Sequence, residues 1–201
     1  MARTTSVKAA ASAFTEETAE ILDFIANSHG IIVTGRPTNW FQRAAYEYGV
    51  IRLHAAFESL MLRALVGVIN DHPNLLSKAT GVQFPRSLSK RACEFIVTGG
   101  GYFDVKGRPG LLKTIQDFVP KDSYLYEVVS KSQYRSALDK LWGLRNFAVH
   151  RSEYAKKQAL AATNQTRVLS AGAWLSRQDR FVDLVRDVRT LADELGNRAP
   201  H

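Results

Sequence analysis

Apolar residues recur at intervals of three and four along most of this chain, and strict two-residue alternation is scarce, so the pattern predicts helices rather than strands. The longest periodic stretch runs from about Trp40 to Asn70. There Ala44, Tyr48, Ile51, Ala55, Leu62, Leu65 and Ile69 step along one face. A second row of Phe41, Ala45, Leu53, Phe57, Leu60, Ala64 and Val68 widens the stripe, as expected of a central helix with neighbours on more than one side. Upstream, after a short flexible start, FTEETAEILDFIANSHG predicts a helix with Thr15 as N-cap, acidic residues in the first turn and Gly30 as its stop. IIVTGRPTN then reads as an extended or turn segment, because Gly35 and Pro37 interrupt any longer element.

HPNLL breaks the central helix, SLSKRACEFIVTG predicts another helix ending before Gly99, and a short helix is expected from Pro109 to Phe118. The triplet Gly99–Gly101 reads as a hinge; no Gly-Lys-Ser/Thr follows to make it a phosphate-binding loop. Ser130 or Ser132 can cap the helix of QYRSALDKLWGLRNFAVH, whose apolar row is Tyr134, Leu138, Leu141, Trp142, Ala148 and Val149. That helix continues, or restarts after a bend, through SEYAKKQALAAT. The last helix carries Phe181, Leu184, Val185, Val188, Leu191 and Leu195 on one face. The expected fold is a single all-α domain over 1–201. Its long helices pack as a bundle, with core helices over about 40–195 and shorter helices inserted over about 71–130.

Two charged residues interrupt the apolar rows. The steps 134, 138 and 141 reach Arg145 before 148, and the steps 44, 48, 51 and 55 reach Glu58 before 62. A guanidinium is costly to desolvate without a partner, so Glu58 facing Arg145 across a helix interface is an economical expectation. The plain alternative is an ion pair at the core's edge. His54, one turn before Glu58, is a supporting candidate, or simply a partly buried helix residue. Asn146 and His150 are four apart and share a face, whereas Arg145 and His150 lie about 140° apart on an ideal helix. A long arginine side chain, a local bend or a second subunit would bring both onto one ligand.

Composition adds a preference for polyanions. The 27 basic residues outnumber 19 acidic ones, for a net charge of +8, which favours nucleic acid or an acidic partner without choosing between them. Basic residues gather loosely at Lys78, Arg86, Lys90 and Arg91, at Lys106, Arg108 and Lys113, and at Arg145, Arg151, Lys156 and Lys157; each group also reads as an ordinary solvated surface. Cys93 is the lone cysteine, so no intrachain disulfide or all-cysteine metal cage can form. The histidines at 29, 54, 72, 150 and 201 show no HExxH or zinc-finger spacing, and no GxSxG elbow is present. Neither a secretory leader nor an apolar run of membrane-spanning length is read, and a cytoplasmic location is the default expectation. His201 falls in a loose terminal GNRAPH and is not counted as catalytic.

RNFAVH, residues 145–150, resembles the Arg-Asn-x-x-x-His signature of the HEPN superfamily, and LHAAFESLMLRAL is similar to the first core helix of those domains, where a Glu is common. The subgroup suggested is a stand-alone bacterial defence or toxin-like branch, RiboL-PSP-like or related. The resemblance implies a four-helix bundle with additional short helices between its core helices, which commonly dimerises and brings two signature helices together around a cleft. It also implies a metal-independent endoribonuclease needing no cofactor, with Arg145 and His150 as the catalytic pair and Asn146 orienting them. Glu58 on the similar upstream helix would support that pair; His54 is added to it from its helical position and not from the signature, and by their charge Arg151, Lys156 and Lys157 would hold flanking RNA phosphates. The implied partners are RNA, a second copy of the chain and a cognate antitoxin or inhibitor. Other members of the superfamily have lost the activity and serve as binding or assembly modules, which is the competing expectation. A duplex-DNA regulator would need a helix-turn-helix signal that the sequence lacks.

Overall fold

The structure, a computed structural model, describes residues 6–37 and 39–200; residues 1–5 of the expected flexible start and His201 lie outside the described residues. Among the described residues the chain forms ten α-helices and no strand. In order these are α1 (Ser6–Asn27), α2 (Trp40–Asp71), α3 (Pro73–Thr80), α4 (Lys90–Thr98) and α5 (Gly107–Phe118). They continue with α6 (Tyr124–Ser130), α7 (Arg135–His150), α8 (Glu153–Thr163), α9 (Ala171–Leu175) and α10 (Arg180–Arg198). The expected all-α class is therefore what the chain adopts, with α3 to α6 as the short helices between α2 and α7.

Helix α1 begins well before the predicted cap. Val7, Ala10, Ala11 and Phe14 are buried at helical spacing, and Thr15, instead of capping, donates its hydroxyl to the Ala11 carbonyl at 3.1 Å inside the helix. Helix α2 spans the predicted range, but its two rows differ. Leu53, Phe57, Leu60, Ala64 and Val68 are fully buried, whereas Tyr48 and Ala55 of the other row are exposed. By length and composition α2 alone among the described helices could cross a membrane, and 61% of its most apolar window is buried inside the protein, as a core helix requires.

Pro73 occupies the first turn of α3, where its missing N–H costs nothing, and Ser89 caps α4 by accepting from Ala92 N at 3.2 Å. Gly99 closes α4 in the left-handed conformation at φ 60°. Ser130 ends α6 instead of starting α7. Its hydroxyl donates to the Glu127 carbonyl at 3.0 Å, and a short 3-10 turn from Ser132 to Tyr134 leads into α7.

The chain divides into two compact units, one of Met1–Thr15, Phe57–Arg135 and Arg189–His201, the other of Glu16–Ala56 and Ser136–Val188. Helices α1, α2 and α10 thus contribute to both. In the first unit Leu111 and Ile115 of α5 and Leu125, Val128 and Val129 of α6 are buried together with Cys93. Phe14 and Phe57 meet edge to face at 6.5 Å. In the second, Gly49 lets α2 approach Ile25 and Phe181 so closely that an added Cβ would lie 3.0 Å from each. The Tyr46 ring meets Phe181 edge-on at 5.7 Å.

Candidate functional site

Helix α7 buries Leu138, Leu141, Trp142, Leu144, Phe147 and Ala148. Within the row 134, 138, 141, 145 and 148 only Arg145 is not fully buried, so the polar interruption expected there is present in the fold. Val149, placed inward by the sequence pattern, is exposed. At Gly143 α7 and α8 approach closely: an added Cβ would sit 3.1 Å from Ala162 Cβ and 3.2 Å from the Gln158 carbonyl oxygen. One turn further along α7, Asn146 bridges the same two helices. Its Oδ1 accepts from Arg145 Nη1 at 3.1 Å, and its Nδ2 donates to Gln158 Oε1 at 3.4 Å. The result is a directed chain from guanidinium to amide to amide, which orients Arg145 while leaving its other nitrogens for a further acceptor.

His150, the last residue of α7, is exposed. Arg151 then takes the left-handed conformation at φ 49°, and Ser152 starts α8 by accepting from Ala155 N at 3.2 Å. This is the bend and restart that the sequence allowed. Glu47 on α2 secures it. Its Oε2 accepts from Arg151 Nη2 at 3.0 Å and its Oε1 from Gly172 N at 3.5 Å, with only 13% of the Glu47 side chain exposed. Gly172 has no room for a side chain, since a Cβ would collide with the Arg43 carbonyl. Glu47 therefore ties α2, the α7–α8 turn and the start of α9 together at the residue that follows His150.

The remaining predicted residues have varied surroundings. His54 is 3% exposed, its ring edge-on to Trp142 at 5.4 Å, so it braces α7 from within. Glu58 is half-buried on the less buried row of α2 and belongs to the other unit, so the irregularity that singled it out is weaker than the sequence implied. Lys156 pairs with Glu153 at 3.7 Å, and Lys157 is exposed one residue on. Glu47 and Gln158 were missed. Glu47 had a readable signal, because it precedes Val50, His54 and Phe57, a fully buried row in which a carboxylate is out of place. Gln158 had none, since its partner depends on how α7 and α8 pair.

A second polar cluster lies in the first unit. Glu194 accepts from Lys131 Nζ at Oε1 and from the Tyr134 hydroxyl at Oε2, the latter at 2.6 Å. Burial of Tyr134 first, and Glu194 beside it second, push the phenol up to about 12. Burial disfavours the Glu194 charge, but its hydrogen bonds to Lys131 and Tyr134 outweigh this and hold the carboxyl below its ordinary value. The same unit has a cleft of about 300 Å³ lined by Ala9, Ala10, Arg63, Val66, Gly67, Lys90 and Glu94, none of them a candidate site residue. Among the described residues no three His, Cys, Asp or Glu side chains converge as a metal-binding set. No protein-family model, curated protein or solved structure matches the chain.

Proposed function

We propose that the protein is a metal-independent endoribonuclease with an HEPN-like helical core, in which Arg145 and His150 act on the scissile phosphate. The observation that carries this reading is an exposed imidazole at the end of α7, one turn beyond the Asn146 amide that orients the half-buried Arg145. His150 takes the proton from a ribose 2′-OH as that oxygen attacks phosphorus. The P–O5′ bond breaks, and the departing 5′-oxygen receives a proton from the imidazolium. The products are a 2′,3′-cyclic phosphate and a 5′-OH end. Arg145 donates to the non-bridging oxygens, where charge builds in the transition state. DNA, lacking the 2′ nucleophile, resists cleavage. Lys157 and the exposed flank of Arg151 hold neighbouring phosphates. A homodimer, a cytoplasmic defence or toxin–antitoxin setting and restraint by a cognate antitoxin complete the proposal.

A non-catalytic RNA-binding or assembly module is the second reading. It is favoured by the engagement of Arg145 with Asn146 and of Arg151 with Glu47, contacts that stiffen the hairpin without any chemistry. Incubation of a labelled structured RNA in EDTA separates the two. Wild-type protein yields cyclic-phosphate ends, and folded His150→Ala protein loses about 10²-fold or more of the rate. Equal activity in both proteins, or none in either across diverse RNAs, refutes the nuclease.

A further inference from the structure

The α7–α8 hairpin carries an exposed aromatic residue that the chemistry above does not use. Tyr154, in the first turn of α8, is 73% exposed, and no hydrogen bond or ring contact is found for it among the described residues. A lone exposed aromatic is common on protein surfaces. What distinguishes this one is its register. Gly143 meets Ala162 and Gln158 across the hairpin and Asn146 meets Gln158, so the same register, carried one turn further towards the bend, pairs the position of His150 on α7 with that of Tyr154 on α8. On α8 itself, Tyr154 shares a face with Lys157 and Gln158, at i+3 and i+4. The only acidic side chain in that first turn, Glu153, is neutralised by its pair with Lys156.

An exposed ring, an exposed ammonium and an exposed imidazole therefore fall on the helix turns that flank the bend. They match the three parts of one nucleotide step: base, neighbouring phosphate and ribose. We infer that Tyr154 is a stacking platform for an unpaired nucleobase next to the phosphate held at His150, and that the substrate is accordingly single-stranded RNA or an unpaired loop. This rests on the endoribonuclease reading. In a duplex both faces of each base are covered by neighbours, so a duplex offers Tyr154 no partner. A strand with unstacked bases does, without demanding a particular sequence.

The test is fluorescence anisotropy of a labelled RNA strand without self-complementarity, and of its blunt duplex. The protein is His150→Ala, which leaves the strand uncut, alone and combined with Tyr154→Ala or Tyr154→Phe. Tyr154→Ala is expected to weaken single-strand binding about 10-fold or more, and Tyr154→Phe to retain it. All three are expected to bind the duplex alike. Unchanged single-strand binding by Tyr154→Ala overturns the platform, as does an equal loss on strand and duplex, or no binding of the strand by the parent. Cleavage by the otherwise wild-type protein is followed in parallel. If it cuts RNA while Tyr154→Ala changes neither binding nor KM, the platform fails and the nuclease stands. If it cuts nothing while Tyr154→Ala abolishes strand binding, the nuclease fails and the platform stands.

Discussion

Each unit holds a polar cluster, and the two are completed differently. Around Glu194 both carboxylate oxygens are taken, one by Lys131 and one by Tyr134. Around Arg145 a single guanidinium nitrogen is engaged by Asn146, and His150 at the end of the same helix faces solvent. The first arrangement is closed, as a cluster that serves stability should be, because an unmatched charge in a half-buried setting is penalised. The second is oriented yet unfinished. It has a fixed direction and spare donors, which is what binding an external phosphate demands.

The sharpest way to break this contrast is Arg145→Ala. RNA cleavage should fall about 10²–10³-fold, as when a transition-state donor is removed, while the helical circular dichroism and the unfolding midpoint stay near those of the wild type. A cleavage rate within a few-fold of wild type would place Arg145 with the closed, structural cluster.

Gly172→Ala tests the foundation under the open cluster. A methyl group there collides with the Arg43 carbonyl and displaces the amide that Glu47 accepts from. Urea unfolding should show a loss of about 3 kcal/mol, at the high end for overpacking, with cleavage reduced as the His150 turn loosens. Unchanged stability would mean that the α9 start shifts aside at little cost.

Glu194→Gln is the mildest and tests the closed cluster. The carboxyl of Glu194 is held below its ordinary value, so its stabilisation is present above the ordinary carboxylate range and is lost as pH falls through the lowered folded value. The variant should lose about 1 kcal/mol at neutral pH. It should show a shallower decline of stability on acidification and cleave RNA at the wild-type rate. Tyr134 acts at the opposite end. It keeps its proton until pH approaches about 12, so its contribution disappears only as pH rises from the ordinary phenol value through that one. An unaltered acid profile in Glu194→Gln would show that other carboxylates govern acid unfolding.

Where periodicity was long, the sequence was informative. The rows of α2 and α10 extend over many turns, and the α10 residues from Phe181 to Leu195 named from spacing are all buried. Shorter or competing signals failed for identifiable reasons. Thr15 followed by acidic residues imitates a helix start, but the preceding alanines propagate a helix at little conformational cost, and Val7 and Phe14 anchor it. Helix α9 is five residues long, too short for any period to register. At the site, Arg145 could be singled out because it breaks a buried row, and Glu47 could have been found by the same test. The Asn146–Gln158 bridge could not, since it depends on the pairing of two helices across a bend.

The interleaved course of the chain has a consequence for synthesis. The unit carrying Arg145 and His150 draws on nothing beyond Val188, whereas the other joins segments far apart along the chain; there Arg189 donates to the Thr15 carbonyl at 3.1 Å. Pairings so remote along the chain form late, because a long loop must close first. On the ribosome, then, the hairpin with its basic bend can assemble before the contact between Arg189 and Thr15 forms. The interleaving thus puts the hairpin that carries Arg145 and His150 ahead of the pairing that joins remote parts of the chain.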